Sequence, residues 1–151
     1  MRSVPLAVLT ATLVALSGAA LAADEPKNLV DYRSAVMRSL GGHAGAIAAI
    51  VKQQVSYDHV AAHAEAIAAT APAVRDVFPE NSGPDDYAET DALPAIWENP
   101  EDFAEALEAF ETAAAAFPAA AQSGDRAQIL EAFQKLGGSC GACHEDFRAE
   151  D

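Results

Sequence analysis

The sequence Cys140-Gly141-Ala142-Cys143-His144 lies near the end of the chain and determines most of the predicted fold and chemistry. A Cys-x-x-Cys-His run is the attachment signature of c-type haem, in which the thiols form thioethers and the histidine ligates the iron. In a helix, residues three and four positions apart share a face, so both thiols and the imidazole would project together. The motif therefore predicts one covalently attached haem c, with His144 as the proximal iron ligand.

Other classes of site also use paired cysteines. A thiol–disulfide enzyme using Cys140 and Cys143 would place the pair at the start of a helix after a strand, and no strand pattern lies nearby. A structural zinc site needs four ligands, and the chain has only 2 cysteines. A simple disulfide is the remaining alternative for an exported protein.

Upstream of the motif, apolar residues recur at helical spacing. One unbroken stripe runs through the motif and places the cysteines on the buried side of the last helix: Ile129, Phe133, Leu136, Cys140, Cys143 and Phe147. Asp125 and Gln128 form a capping-box-like start for that helix.

Three earlier segments also have helical patterns. They predict helices over residues 29–52, from Ser56 toward Arg75, and from Pro100 onward, with Pro118 as a kink or an end. The proline-rich and acidic residues 78–99 predict a loop. Four helices with mostly short links predict an all-α, antiparallel four-helix bundle with a C-terminal covalent haem site.

The N-terminal residues predict a secretory signal peptide. Arg2 is a basic start, residues 4–20 are almost wholly apolar, and Ala20-Leu21-Ala22 is a small-x-small cleavage site. A retained anchor is the rival interpretation, but no basic stop-transfer flank follows. We therefore expect residues 1–22 to be removed and residues 23–151 to form one periplasmic domain without a stable membrane anchor.

The predicted mature chain is strongly acidic. Residues 23–151 hold 8 Lys and Arg against 23 Asp and Glu, a formal charge of −15. This charge argues against nucleic acid and anionic lipid surfaces and favours redox partner proteins with basic docking patches. The alternative interpretation is that the acidic composition only keeps an exported protein soluble, which would explain the same charge. The chain shows no Ser/His/Asp set, phosphate loop or carboxylate pair, so we do not predict an enzyme.

Over essentially all of residues 23–151 the chain resembles cytochrome c′ and its class II c-type relatives. Tyr32-Arg33-x-x-x-Met37 matches the first helix of that family, and Gly137 to Arg148 matches its haem-binding end. Phe78-Pro79 and Ala95-Ile96-Trp97 match landmarks between them. The resemblance implies a left-handed four-helix bundle that holds haem between its helices, with Cys140 and Cys143 as the thioether residues.

The resemblance also implies roles for two arginines. Arg33 would approach a haem propionate, because its charge lies on an otherwise apolar stripe and is costly there without an anionic partner. The alternative interpretation is that the Arg33 side chain extends to solvent. Arg148 matches the arginine beside the proximal histidine, where it would modulate His144. The alternative interpretation is that Arg148 is an ordinary cation at a helix C-terminus, where it is favourable with the helix dipole.

Met37, the only methionine in residues 23–151, matches the position that faces the iron opposite His144 in this family. A sulfur bound to iron suits a carrier of single electrons between redox partners. A sulfur that only covers a five-coordinate iron leaves it open to nitric oxide or carbon monoxide. The resemblance leaves both functions open, and also leaves open a monomer or a homodimer through the first two helices.

The other histidines form a weaker pattern. His59 and His63 are four residues apart on the second predicted helix and could clamp a metal ion, although exposed pairs of this kind are more often solvated. His43 is expected off the core face of the first helix.

Overall fold

The computed structural model describes residues 26–150, so the predicted signal peptide over residues 1–22 lies outside the described residues. Within residues 26–150 there are five α-helices: α1 (Pro26–Val51), α2 (Val60–Thr70), α3 (Ala95–Glu98), α4 (Pro100–Gln122) and α5 (Arg126–Phe147). Helix α1 packs against α2 and α5, and α4 packs against the same two helices. The predicted all-α, antiparallel four-helix bundle is confirmed, with α3 as a single added turn.

The bundle core is built from apolar side chains at helical spacing on all four long helices. Its most deeply buried members, each at most 2% exposed, include Ile47, Ile50, Ala64, Ile67, Ala114, Phe117, Ile129 and Leu136. Burial of apolar surface at about 25 cal/mol per Å² is the main favourable contribution to such a fold. The core therefore fixes how α1 and α5, which carry the predicted site residues, face each other.

Helix α1 is long and apolar enough over Lys27–Val51 to cross a membrane, judged by length and composition alone. Its apolar residues nevertheless lie in the bundle core, where Val36, Leu40 and Ile47 are buried. The opposite side of α1 is exposed and carries Arg38. A helix with one buried apolar stripe and one exposed polar side is the ordinary pattern of a bundle helix.

The predicted start of the second helix was wrong. Helix α2 begins at Val60 instead of Ser56, because the Ser56 hydroxyl donates to the Asp58 carboxylate over 2.9 Å and does not cap a helix. Of the two expectations for Pro118, a helix end there is wrong, because α4 continues through this residue to Gln122. Phe117 before this proline and Ala121 after it are buried in the core, and their packing offsets the backbone hydrogen bond that the proline cannot make.

The predicted start of α5 is confirmed. The Asp125 carboxylate accepts hydrogen bonds from the backbone N–H of Ala127 (2.8 Å) and of Gln128 (3.3 Å). The Gln128 amide also donates to this carboxylate over 3.0 Å. These three hydrogen bonds, of which the Gln128 side-chain bond contributes most, lower the pKa of Asp125. The carboxylate thus satisfies N–H groups that the first turn would otherwise leave without partners.

Gly83 allows a close approach to an indole ring. A Cβ at this buried position would lie 3.0 Å from Cζ3 of Trp97, and the indole N–H donates to the Pro79 carbonyl over 3.1 Å. The ring is therefore restrained. We expect Gly83→Ala to lower the free energy of unfolding by about 1–3 kcal/mol, measured by denaturant unfolding of the haem-loaded protein.

Gly45→Ala is the matched control for this substitution. A Cβ at Gly45 meets nothing within 4 Å on α1, so alanine there should raise the free energy of unfolding by up to about 1 kcal/mol. If both variants change stability in the same direction, the steric explanation for Gly83 is incorrect.

Candidate haem site

The C-terminal half of α5 carries the Cys-x-x-Cys-His motif on its inner side. Leu136 and Phe147 are buried at 2% and 6% exposure and hold this half of the helix against the core. Between them, Cys140 and Cys143 are half-buried free thiols packed against the core cluster. His144 is exposed on its outer side. All three motif side chains line one cavity, as the helical spacing predicted.

Two adjoining cavities lie between α1 and α5, with volumes of about 370 and 170 Å³. Four residues line both of them: Met37 and Gly41 from α1, and Cys143 and His144 from α5. The smaller cavity is otherwise lined almost entirely by apolar core side chains from α1, α2, α4 and α5. The larger cavity adds polar groups, including both Arg33 and Arg148.

The residues around these cavities fit haem c. An apolar cavity suits the macrocycle, and two thiols with a histidine at its wall supply the attachment groups that this cofactor needs. Gly41, Gly137 and Gly138 leave open space, since a Cβ at any of them would meet nothing within 4 Å. When bound, haem supplies an iron that gains or loses one electron.

The surroundings of both cysteines favour the protonated thiol over the thiolate. Burial raises the pKa of the Cys140 thiol, against a smaller opposing effect of the backbone. Burial, followed by the neighbouring Cys140 and Asp146, raises the pKa of Cys143 to about 11. Reactive redox thiols have lowered pKa values, so these two sites differ from the nucleophile of a thiol–disulfide enzyme.

The surroundings of His144 favour the neutral form of its imidazole. Burial of its inner side and then the positive charge of Arg148 lower the pKa of this imidazole. A neutral imidazole keeps the lone pair that a metal ligand requires. The environment of His144 therefore agrees with its predicted role as an iron ligand.

Arg33 is 4% exposed, so the alternative that it extends to solvent is wrong. Its Nη1 donates to the Val77 carbonyl and the Ser82 hydroxyl, both at 3.1 Å. Its Nη2 donates to the Ser82 carbonyl over 2.9 Å and to the Thr90 hydroxyl over 2.6 Å. The guanidinium carbon also lies 4.8 Å from the centroid of the Phe78 ring. The side chain is thus fixed in one position.

These acceptors of the Arg33 hydrogen bonds are all uncharged. A buried cation is usually paired with an anion, and burial lowers the pKa of Arg33. Because Arg33 also lines the larger cavity, its position is compatible with the predicted propionate contact, which stays a prediction. Sequence reasoning missed Ser82 and Thr90. The cation on an apolar stripe showed that partners were needed, but no spacing identified them.

Residues 91–93 form backbone hydrogen bonds with the end of α5 and the residues that follow it. The backbone N–H of Leu93 donates to the Phe147 carbonyl over 3.0 Å, and that of Ala149 donates to the Asp91 carbonyl over 2.7 Å. Ala92 and Arg148 form an antiparallel bridge between them. The chain that follows the haem motif is therefore attached to the connection before α3.

Arg148 lies at this attachment and faces two charged or ionisable groups. Its Nε is 3.7 Å from the Asp91 carboxylate, and its backbone N–H donates to the His144 carbonyl over 3.1 Å. Its charge also acts on the His144 ring. The predicted influence on the proximal histidine and the alternative role as a helix C-terminal cation are both compatible with this placement.

The histidines outside the motif are arranged differently from the predicted pair. His63 contacts His43 on α1, with their Nδ1 atoms 2.9 Å apart, whereas His59 is exposed. None of these three lines either cavity. No group of three or more His, Cys, Asp or Glu that could hold a metal ion occurs in residues 26–150.

Comparisons with known proteins agree with this geometry. Residues 28–148 match the family model described as Cytochrome C′. The chain is 41% identical over 125 residues to cytochrome c′ of Pararhodospirillum photometricum, which covers 82% of this chain and 98% of the relative. It is 35% identical over 154 residues to cytochrome c-554 of Cereibacter sphaeroides, with 100% of both chains covered.

The fold is also similar to that of a solved structure. A nitric oxide complex of a cytochrome c prime variant from Alcaligenes xylosoxidans matches with a TM-score of 0.76 at 28% identity, covering 84% of this chain and 98% of that one. Most of the described bundle therefore has a counterpart in a solved structure.

Proposed function

Because the chain belongs to the cytochrome c′ family and so carries covalently attached haem c, we propose that it transfers single electrons between periplasmic redox partners. Cys140 and Cys143 would tether the haem, and His144 would hold its iron. The observation that carries this proposal is that Met37 and His144 line the same two cavities from different helices. A group held by His144 would therefore have a thioether as its neighbour on α1, and such a ligand pair raises the haem potential.

The surroundings of the cavity support an electron carrier. Arg33 is locked by hydrogen bonds at the cavity edge, so it offers a fixed positive charge to a haem propionate without rearrangement on electron transfer. The surface is acidic, with the formal charge of −15 over residues 23–151. That charge would steer the protein toward basic patches on its partners.

Gas binding is the second candidate function. The solved relative described above holds nitric oxide, and Gly41, one helical turn after Met37, leaves open space beside the cavity. With Met37 covering an open iron, a diatomic ligand would have room to enter. A homodimer through α1 and α2, which the resemblance implies as one arrangement, is compatible with either function.

Absorption spectra with carbon monoxide distinguish the two functions. If Met37 ligates the iron, the reduced wild-type protein should keep its spectrum under carbon monoxide, because no coordination position is open. Met37→Leu removes the sulfur but keeps the apolar bulk, so this variant should take up carbon monoxide and shift its Soret band. The reduced wild type should also pass electrons to an oxidised periplasmic acceptor.

Ser39→Ala is the control for Met37→Leu. Ser39 is exposed on the same helix, lines neither cavity, and its hydroxyl only donates to the Val36 carbonyl. Its spectrum should match that of the wild type. Ready binding of carbon monoxide by the wild type, with no electron exchange, would replace the carrier by the gas-binding function.

A further inference from the structure

The Thr90 hydroxyl lines the larger cavity and accepts two hydrogen bonds. Nη2 of Arg33 donates to its oxygen over 2.6 Å, and the backbone N–H of Ala92 donates to the same oxygen over 3.2 Å. A hydroxyl oxygen has two lone pairs and one O–H. Both lone pairs are therefore occupied, while the O–H donates to no residue within positions 26–150.

The Ser82 hydroxyl, which also holds Arg33, differs because its proton is used. It accepts from Nη1 of Arg33 over 3.1 Å and donates to the Pro79 carbonyl over 2.8 Å. Ser82 is fully buried and lines neither cavity, whereas Thr90 is half-buried at the cavity edge. Of these two hydroxyls, only that of Thr90 can donate to a group in the cavity.

The guanidinium of Arg33 is largely occupied by the protein itself. Its two Nη atoms carry four N–H groups, and the hydrogen bonds to Val77, Ser82 and Thr90 use one N–H each time. Only the Nε–H remains, so Arg33 cannot form a fork of two N–H bonds with a carboxylate. Its charge still acts through Thr90, since a hydroxyl that accepts from a cation becomes a stronger donor.

We propose that Thr90 donates a hydrogen bond to a haem propionate, with Arg33 as the positioning residue behind it. Cys140 lines only the smaller, apolar cavity, whereas Thr90 and Arg33 line only the larger one. Since the thioether and propionate edges of haem are opposite each other, the carboxylates would lie on the side of Thr90. The proposal rests on the haem site proposed above but not on whether Met37 ligates the iron.

The test measures the midpoint potential of the haem-loaded protein as a function of pH. A hydrogen bond donated to a carboxylate lowers the pKa of that group. The potential falls as the pH rises through this pKa, because the carboxylate stabilises the oxidised iron. Thr90→Val keeps the shape but removes the O–H, so the fall should move to higher pH by about 1 unit. Thr90→Ser keeps the O–H and should give the wild-type profile.

Two control variants separate the donated hydrogen bond from other effects. Thr70→Val makes the same substitution on α2, where the hydroxyl donates to the Ala66 carbonyl and lines neither cavity, so the profile should not change. Ser82→Ala removes an acceptor of Arg33 but keeps the Thr90 O–H, so its shift should be smaller than that of Thr90→Val. No variant changes the other charged or ionisable groups that line the larger cavity, which are Arg38, Asp91, His144 and Arg148.

Two results would overturn the proposal while the haem site stands: an unchanged profile in Thr90→Val, or an equal shift in Ser82→Ala. Thr90→Ala, which also lacks the O–H and adds no bulk, gives the same test should Thr90→Val not fold. A wild type without covalently attached haem would overturn the haem site and this proposal together.

Discussion

A double variant with Cys140→Ala and Cys143→Ala should leave a host proficient in cytochrome maturation without covalently attached haem. Each thioether consumes one thiol, so either single variant can keep one link, whereas the double variant can keep none. Haem staining of a denaturing gel should fall to background for the double variant. The intact mass should decrease by one haem in addition to the two sulfur atoms.

Ser139→Ala is the control for this loss. Ser139 precedes Cys140 on α5 and its hydroxyl donates to the Leu136 carbonyl over 2.8 Å, so the substitution changes the same helix without removing a thiol. It should keep full haem staining. Haem that stays attached in the double variant through denaturation would show that another residue forms the link.

Arg33→Met should lower the free energy of unfolding by about 3–4 kcal/mol in the haem-loaded protein. The substitution keeps a long apolar chain but removes every donor, so the acceptors on Val77 and buried Ser82 lose the guanidinium, while the half-buried Thr90 hydroxyl keeps only the bond from the Ala92 N–H. An unsatisfied buried acceptor is far more costly than an ordinary hydrogen bond is worth. Chemical unfolding followed by helical circular dichroism measures the change.

Two further variants separate this effect from a loss of charge. Arg33→Lys keeps the charge but lacks the planar fork that reaches two groups of acceptors, so its loss of stability should be intermediate. Lys52→Met removes an exposed cation near the end of the same helix and should change stability by less than about 0.5 kcal/mol. Equal losses for Arg33→Met and Lys52→Met would show that the hydrogen bonds at Arg33 contribute little.

The helical fold and the Cys-x-x-Cys-His centre of the site could be predicted because both are specified by residues close together in the sequence. The stripe through Cys140, Cys143 and Phe147 specified one helix, and Asp125 marked where that helix begins. Both features are decided within a few residues of chain. The family resemblance was confirmed by the match over residues 28–148.

Features that depend on distant contacts could not be predicted. Arg33 meets Ser82 and Thr90 across 49 and 57 residues of sequence, and only the folded path of the connection brings them together. The histidine pair shows the same limit, since i, i+4 spacing favoured His59 and His63 whereas helix packing joins His63 to His43. The start of α2 depended on whether Ser56 capped a helix or bonded to Asp58.

Both sides of the haem cavity are anchored to one short stretch of chain. Thr90 accepts from Arg33 on α1, and the next residues pair with the backbone at the end of α5. If α1 or the end of α5 moved away from the haem cavity, the hydrogen bonds of residues 90–93 would be strained. These four residues therefore connect the two helices that line the cavity. The width of that pocket is thereby governed by a segment lying well outside the Cys-x-x-Cys-His sequence.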